Sequence, residues 1–156
     1  MTKEIITRRA EFFDRWIEAL KSGKYKQGYG QLRAKNKYCC LGVACEVFNG
    51  MCADGVGGLT KKDKLKKVKA TNKVDYTYDG DLLGVPPTME AKLGVKLEGY
   101  EVKTTRSETA KYSGYAYRDV QAEETALAEL NDSENFDFNA IATVIKRNKK
   151  AFYTEE

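Results

Sequence analysis

The residues best suited to chemistry are four cysteines, three of which lie in the apolar stretch 38–48. A structural zinc site pairs its ligands with two to four residues between them, whereas Cys39 and Cys40 are adjacent and six residues separate Cys45 from Cys52. Adjacent residues on a helix point about 100° apart, so Cys39 and Cys40 would not bind one ion. The spacing therefore predicts small core residues and no metal site. A second interpretation is a reactive Cys39 whose thiol is made acidic by the start of a helix.

Catalysis is disfavoured because the sequence contains no histidine. This absence removes the commonest general base, the usual partner of a nucleophilic serine or cysteine, and the commonest zinc ligand. Residues 131–137 offer several oxygen ligands but lack the central glycine and closing glutamate of a calcium loop. Asp75, Asp79 and Asp81 are predicted to be turn and edge residues of a hairpin. We therefore expect a protein that is not an enzyme and that uses no cofactor.

The segment 25–33 is the strongest candidate for a ligand site. Its two glycines let backbone N–H groups approach a ligand, and its two tyrosines offer stacking surfaces. Arg33 can bind a phosphate through two parallel hydrogen bonds. The segment lacks the Lys-Ser/Thr ending of a P-loop, and the alternative is a tight turn whose tyrosines pack on the first helix. The predicted contacts to an anionic small molecule such as a nucleotide are Gln27, Tyr29, Arg33 and Tyr38.

A lysine-rich stretch at residues 61–69 is the candidate surface for nucleic acid. Cations on one surface contact phosphates, and nearby tyrosines can stack on bases. No helix-turn-helix, zinc-finger or RNA-recognition signature accompanies the stretch, and such runs are most often solvated faces. The residues of this alternative site are Lys61, Lys62, Lys64, Lys66, Lys67 and Lys69.

The length of 156 residues and the formal net charge of +4 limit the classes of protein to which the chain can belong. We expect one domain covering residues 1–156. It is large enough to bury a hydrophobic core without the support of disulfide bonds or metal ions. The mild positive charge is compatible with an anionic partner. The N-terminus lacks the apolar core of a signal peptide, and no run is long enough to span a membrane. These features predict a cytosolic protein with free thiols and no membrane partner.

Two N-terminal helices are predicted. The first is capped by Thr7 and ends at Ser22-Gly23. Helical spacing gives its inner face as Ala10, Phe13, Trp16 (or Ile17) and Leu20. The second contains the cysteines and ends at the stop signal Asn49-Gly50. Its expected inner face comprises Leu41, Ala44 (or Cys45) and Phe48, and is widened by Cys40, Val43 and Val47.

The middle of the chain predicts a small antiparallel sheet. Residues 74–78 alternate like a strand, Asp79-Gly80 is a hairpin turn signal, and residues 81–85 are the expected return strand. Pro86-Pro87 suits the start of a short helix that Gly94 ends. After it, residues 95–105 are expected to be strand-like and residues 106–118 to form a surface loop.

Two C-terminal helices close the predicted fold. The first ends at Asn131-Asp132, and Asp137 caps the second. Basic residues at positions 146, 147, 149 and 150 complement the negative end of the last helix dipole. The sequence as a whole therefore predicts an α+β domain in which two helices, a small sheet and two further helices follow one another. The residues of the last helix expected to point inward are Phe138, Ile141, Ala142 and Ile145.

Several motifs occur in a fixed order along the chain. They are Tyr38-Cys39-Cys40-Leu41-Gly42-Val43, Gly84-Val85-Pro86-Pro87, Leu130-Asn131-Asp132 and Phe138-Asn139-Ala140-Ile141-Ala142. Together they resemble a family of small proteins encoded by bacteriophages. The resemblance implies a phage accessory protein that acts in the host bacterial cytoplasm, in host takeover or against host defences. It implies no particular activity and no functional residues.

The functional prediction combines this context with the residues. We expect a protein that acts by binding, with an anionic, nucleotide-like small molecule sequestered at segment 25–33. One alternative is a basic accessory protein that binds nucleic acid through residues 61–69. The other is an inhibitor that docks on a host protein.

Overall fold

The chain folds as an α+β domain with six α-helices and seven short strands among the residues that the structure describes. The structure is a computed structural model that describes residues 2–52, 58–59, 61–65, 74–81, 83–98, 101–113, 124–132 and 135–154. The helices are α1 (Lys3–Lys21), α2 (Cys40–Met51), α3 (Pro87–Leu93), α4 (Arg106–Ser113), α5 (Leu127–Asp132) and α6 (Phe138–Asn148), which a 3₁₀ helix (Lys149–Phe152) extends. The strands are β1 (Lys26–Gln27), β2 (Arg33–Ala34), β3 (Lys37–Tyr38), β4 (Lys61–Leu65), β5 (Val74–Tyr78), β6 (Val102–Lys103) and β7 (Glu124–Thr125).

Helix α1 begins one turn earlier than the sequence predicted. Thr2 is its N-cap, because the Thr2 hydroxyl accepts a hydrogen bond from the Ile5 amide at 3.3 Å. The prediction of a Thr7 cap is therefore wrong, and Ala10 is exposed. The predicted end is confirmed, since Ser22 is the C-cap and Gly23 follows with a φ of 74°. The buried face consists of Phe12, Phe13, Trp16 and Leu20.

Helix α2 is the central core helix, as the cysteine-rich stretch predicted. Eight of its residues are buried, including Leu41, Ala44 and Phe48. It passes through the predicted stop at Asn49-Gly50 and ends at Met51. The Asn49 side chain holds the next segment instead of ending the helix, because its Oδ1 accepts a hydrogen bond from the Leu59 amide at 2.6 Å.

Helices α1 and α5 pack against α2. Helix α1 packs against both α2 and α6. The Trp16 indole donates to the Cys40 carbonyl oxygen at 3.0 Å, which satisfies its N–H inside the core. The Phe13 ring, which also contacts the Trp16 ring, stacks on Phe152 with centroids 5.9 Å apart. None of the helices that the structure describes is long and apolar enough to cross a membrane.

The main sheet has the strand order β1-β3-β2-β5-β4 and is mixed, because β1 and β3 are parallel while the other pairs are antiparallel. The predicted strand at Val74–Tyr78 is confirmed, but its predicted partner is wrong. Strand β5 pairs with β4, which precedes it, and the described residues of 81–85 contribute the bridge between Tyr78 and Asp81. Because β2 and β4 occupy the two edges of β5, no edge is free for a return strand.

The region after the sheet departs from the prediction in two places. Within the described part of the expected strand-like segment, Val102–Lys103 pairs with Glu124–Thr125, and Val95 forms an isolated bridge with Tyr153. Residues 106–113 form helix α4 and not a surface loop, because Thr105 and Glu108 make a capping box. The Thr105 hydroxyl accepts from the Glu108 amide at 3.2 Å, and the Glu108 carboxylate accepts from the Thr105 amide at 2.9 Å. Residues 114–118 lie outside the described part of the chain.

The remaining helix predictions hold. Helix α3 has proline in its first turn, and Gly94 ends it in the left-handed conformation with a φ of 62°. Asp137 caps α6, where its Oδ1 accepts from the Ala140 amide at 2.8 Å. Helix α5 is confirmed at its end and begins at Leu127, since the two residues of β7 come shortly before it. The predicted inward residues of α6 are all buried: Phe138, Ile141, Ala142 and Ile145.

Gly42 sets the distance between α2 and the chain that leads into β2. A Cβ atom at this position would lie 1.8 Å from the Leu32 carbonyl oxygen and 2.7 Å from its carbon. The same oxygen accepts a hydrogen bond from the Cys39 amide at 3.2 Å. Only glycine therefore lets this backbone contact form at the start of the helix.

The Gly42→Ala variant is expected to lower the free energy of unfolding by about 2–4 kcal/mol, since the methyl group forces two backbones apart. Gly50→Ala in the same helix is the matched control, because nothing lies within 4 Å of its added Cβ. That change should raise the free energy of unfolding by roughly 0.5–1 kcal/mol through helix propensity. Urea unfolding of both variants measures the contrast. Equal effects would contradict the proposed close approach.

Candidate functional site

Three of the four residues predicted to contact a ligand lie side by side in the sheet. Tyr38 is the register partner of both Gln27 and Arg33, so the three side chains share one face. All three are half-buried. The fourth residue, Tyr29, lies in the loop between β1 and β2, and its side chain is 61% exposed. The fold therefore brings three predicted contacts together and places the fourth apart from them.

Gln27 contacts the interior of the protein. Its side-chain nitrogen donates to the Asn131 Oδ1 at 3.0 Å and to the Phe136 carbonyl oxygen at 2.8 Å. Asn131 is fully buried, although the sequence suggested only a helix end at this position. A leucine, an asparagine and an aspartate in succession are typical of such an end, so no sequence signal pointed to the interior role.

Arg33 is also engaged inside the fold. Its Nη1 lies 3.5 Å from the Glu46 Oε1, and the Tyr78 hydroxyl donates to the same oxygen at 2.7 Å. Burial, followed by the hydrogen bond to Glu46, raises the pKa of the Tyr78 phenol. The Arg33 guanidinium lies 4.9 Å from the Tyr38 ring centroid, and Tyr38 meets Tyr25 edge to face. These contacts attach the sheet to α2 and give the arginine charge a partner.

The cysteines form part of the core. Cys39, Cys40 and Cys45 are buried, and all four thiols are free. Burial raises the pKa of the Cys39 thiol to about 11, which outweighs the hydrogen bond that its sulfur accepts from the Gly42 amide. The alternative of an acidic, reactive Cys39 is therefore wrong. No group of three or more Cys, Asp or Glu side chains within the described residues could hold a metal ion.

A cavity lined mostly by cationic residues lies at the C-terminal end of α6. It has a volume of about 460 Å³, and we call it the basic pocket. Five of its eight residues are cationic, and none of the described lining residues is acidic. The lining residues are Lys103, Lys146, Arg147, Asn148, Lys149, Lys150, Ala151 and Tyr153.

Hydrogen bonds fix the frame of the basic pocket. The Asn148 side chain accepts from the Lys103 amide at 3.1 Å and donates to the Lys103 carbonyl oxygen at 3.1 Å. Arg147 donates to that same carbonyl oxygen at 2.9 Å and to the Glu108 carboxylate at 2.5 Å. The Arg9 guanidinium lies over the Tyr153 ring, 3.7 Å from its centroid. The hydrogen bonds join β6 to the end of α6.

The positive charge of the basic pocket exceeds the negative charge of the described acidic residues that pair with it. Lys149 has a partner in Asp14 at 3.2 Å, and Arg147 has one in Glu108. Lys146 and Lys150 are exposed and form no ion pair with any residue that the structure describes. The C-terminus of a helix carries about half a negative charge, which cannot balance two lysines. The pocket therefore contains two lysines without an ionic partner among the described residues.

Sequence reasoning recognised the charges of this pocket but not the pocket itself. The basic residues at the end of α6 were expected to complement the helix dipole, and they are placed to do so. The cavity also needs Lys103 from β6, which is far away in sequence. The signal available in the sequence was the density of cations between positions 146 and 150.

The alternative nucleic-acid site falls only partly within the described residues. Lys61, Lys62 and Lys64 belong to strand β4, in which Lys64 is the register partner of Asp75. Lys66, Lys67 and Lys69 lie outside the described residues. The hypothesis of nucleic-acid binding by this stretch stays a prediction.

Comparison with known proteins gives one result. Residues 9–149 match the model of a family described as a domain of unknown function, DUF8296. The chain belongs to this family. The DUF8296 match covers the sheet with its predicted contacts and ends at position 149, inside the basic pocket. No curated protein and no solved structure matches the chain.

The buried thiols predict a pH dependence of stability. Burial raises the pKa of Cys39 to about 11 and raises those of Cys40 and Cys45 as well. Unfolded thiols titrate near pH 8.5, so above that pH the unfolded chain releases protons that the folded protein keeps. The free energy of unfolding should therefore fall as the pH rises, by roughly 1–2 kcal/mol per thiol between pH 8 and pH 10.

Urea unfolding at the two pH values, in the presence of a reductant, measures this fall. A Cys40→Ala, Cys45→Ala double variant is the control, because it lacks two of the buried thiols and should show a smaller fall. A free energy of unfolding that is the same at both pH values would contradict the burial of neutral thiols.

Proposed function

We propose that the protein acts by binding a phosphate-bearing anion in the basic pocket, without chemical turnover. The observation that supports this most directly is the convergence of five cationic side chains on one cavity whose described lining includes no acidic residue. Lysine and arginine are the side chains that bind phosphate most strongly, and the planar arginine can form two parallel hydrogen bonds to it. The cavity volume of about 460 Å³ lies within the range of small-molecule sites.

The basic pocket is a better candidate than the segment 25–33. Gln27 and Arg33 already have partners inside the fold, so an anion bound there would compete with Asn131 and Glu46. Lys146 and Lys150 have no such competitor among the described residues. An anion at the end of α6 displaces no partner of these lysines among the described residues. Binding there therefore costs less free energy than binding at segment 25–33.

Binding without turnover agrees with the chemistry of the lining residues. The sequence has no histidine, and the described lining has no carboxylate or thiol that could act as a base or nucleophile. Its one hydroxyl belongs to Tyr153, whose ring is covered by the Arg9 guanidinium. The pocket can therefore hold and neutralise an anion, and sequestration is the simplest role for it.

The biological setting that we propose comes from the sequence motifs. A bacteriophage accessory protein in the host bacterial cytoplasm would use such a pocket to sequester a phosphate-bearing metabolite, such as a nucleotide signal. The sequestration would serve host takeover or act against host defences. Stoichiometric binding and release of the unchanged ligand distinguish this role from that of an enzyme.

Isothermal titration calorimetry with inorganic pyrophosphate at low ionic strength tests the proposal. The Lys146→Gln, Lys150→Gln double variant should bind at least about tenfold more weakly, since each lysine contributes a charged hydrogen bond. The matched control is Lys21→Gln, Lys35→Gln, which removes the same charge from exposed positions outside the pocket. The absence of binding to the unaltered protein, or an equal loss in both double variants, would contradict the proposal.

A further inference from the structure

Tyr29 is an exposed aromatic residue on a loop whose backbone is held firmly. Its side chain is 61% exposed, and among the described residues only Ile6 and Leu83 are also large, apolar and exposed. An aromatic ring in this position forgoes the burial that normally stabilises it. The backbone on both sides of Tyr29 nevertheless makes hydrogen bonds to the core of the protein, so the ring is held in a fixed place on the surface.

Three hydrogen bonds hold the loop on either side of the ring. The Gly28 amide donates to the Tyr38 carbonyl oxygen at 2.7 Å, and the Gly28 carbonyl oxygen accepts from the Asn131 side chain at 2.8 Å. The Gly30 amide donates to the Asp132 carboxylate at 3.1 Å. Asn131 is fully buried, so the loop is anchored to the interior and not only to other surface groups.

Two lysines lie on the adjacent strands next to the Tyr29 loop. Lys26 and Lys37 are register partners on the parallel strands β1 and β3, and both are exposed. Neighbouring strands lie about 4.8 Å apart, so these two like charges repel each other. A Cβ atom on Gly28 would lie 2.8 Å from the Lys37 Cβ, so the Tyr29 loop lies directly against this lysine.

The charge of this surface is not balanced within the described residues. Lys26 and Lys37 form no ion pair there, and neither do the nearby exposed lysines Lys24 and Lys35. The acidic group beside the loop is Asp132, whose Oδ1 accepts hydrogen bonds from the Gly30 amide and the Asn131 side chain. An anionic partner would relieve the repulsion between the lysines.

We infer that Tyr29, Lys26 and Lys37 form a platform for single-stranded nucleic acid. An unpaired base stacks on the Tyr29 ring, and the neighbouring phosphates contact the two lysines. Aromatic side chains beside a cationic surface are the usual means of binding single strands without sequence preference. A duplex does not fit this role, because its bases are stacked on each other and their faces are not available.

The platform is separate from the basic pocket. Strand β1 follows the C-terminal end of α1, whereas Arg9 and Asp14 of α1 contact the lining residues Tyr153 and Lys149. The inference therefore does not depend on the proposed function, and either can fail alone. It also uses residues other than the lysines at positions 61–69.

Fluorescence anisotropy with two labelled oligonucleotides tests the platform. One is an oligothymidylate, and the other is an abasic strand with the same number of phosphates. The unaltered protein should bind the oligothymidylate about tenfold more tightly than the abasic strand, and Tyr29→Ala should abolish this preference. Tyr29→Phe should preserve it, because the aromatic ring remains. Leu83→Ala, at a site 66% exposed, should leave both affinities unchanged.

The lysines are tested through the dependence of affinity on salt. Each phosphate contact to a single strand contributes about 0.7 to the slope of log affinity against log salt concentration. The Lys26→Gln, Lys37→Gln variant should therefore lower the slope by about 1.4 and keep the preference for bases over the abasic strand. The same measurements in the Lys146→Gln, Lys150→Gln background should retain the preference.

Several results would overturn the inference. The first is the absence of binding to the oligothymidylate at low salt, and the second is equal affinity of the unaltered protein for the abasic strand. The third is an unchanged preference in Tyr29→Ala, and the fourth is equally tight binding of a duplex of the same length. Thermal melting should be the same for Tyr29→Ala and the unaltered protein because the ring is exposed, so a loss of binding is not a loss of folding.

Discussion

The side-chain amide of Asn131 is the contact on which the arrangement of β1, α2 and the Tyr29 loop depends. It is fully buried, and a buried amide destabilises the fold unless its hydrogen bonds are complete. Its oxygen accepts from the Gln27 side chain and from the Cys40 amide, at the first turn of α2. Its nitrogen donates to the Gly28 carbonyl oxygen and to Asp132. One residue of α5 thus fixes β1, the start of α2 and the Tyr29 loop.

This constraint determines which polar residues remain for function. Gln27 belongs to the interior network, and Arg33 is held by Glu46 beneath the sheet. The cationic groups left over lie at the margins of the fold, at the end of α6 and beside the Tyr29 loop. The interior uses uncharged amides and one shielded ion pair, while exposed cations form the two candidate binding surfaces. An anion can reach these surfaces without breaking a core contact.

The sequence predicted those features that depend on local patterns. Helical periodicity identified the buried faces of α2 and α6, and Asp137, Pro87 and Gly94 marked helix ends correctly because capping is a local interaction. Strand β4 could not be recognised, since its lysine-rich sequence lacks the alternation of apolar residues. Helix α4 was missed although its capping box is visible in the sequence, because the polar composition of the segment favoured a loop.

The candidate sites were less predictable because they are formed by tertiary contacts. The basic pocket combines Lys103 with the end of α6, and the interior role of Asn131 depends on three separate elements. The most direct test of the central claim is a titration of ¹⁵N-labelled protein with inorganic pyrophosphate, followed by two-dimensional NMR. We predict that the shifted amide resonances belong to Lys103 and to residues 146–151. Shifts confined to residues 27–38, or no shifts at all, would contradict the account.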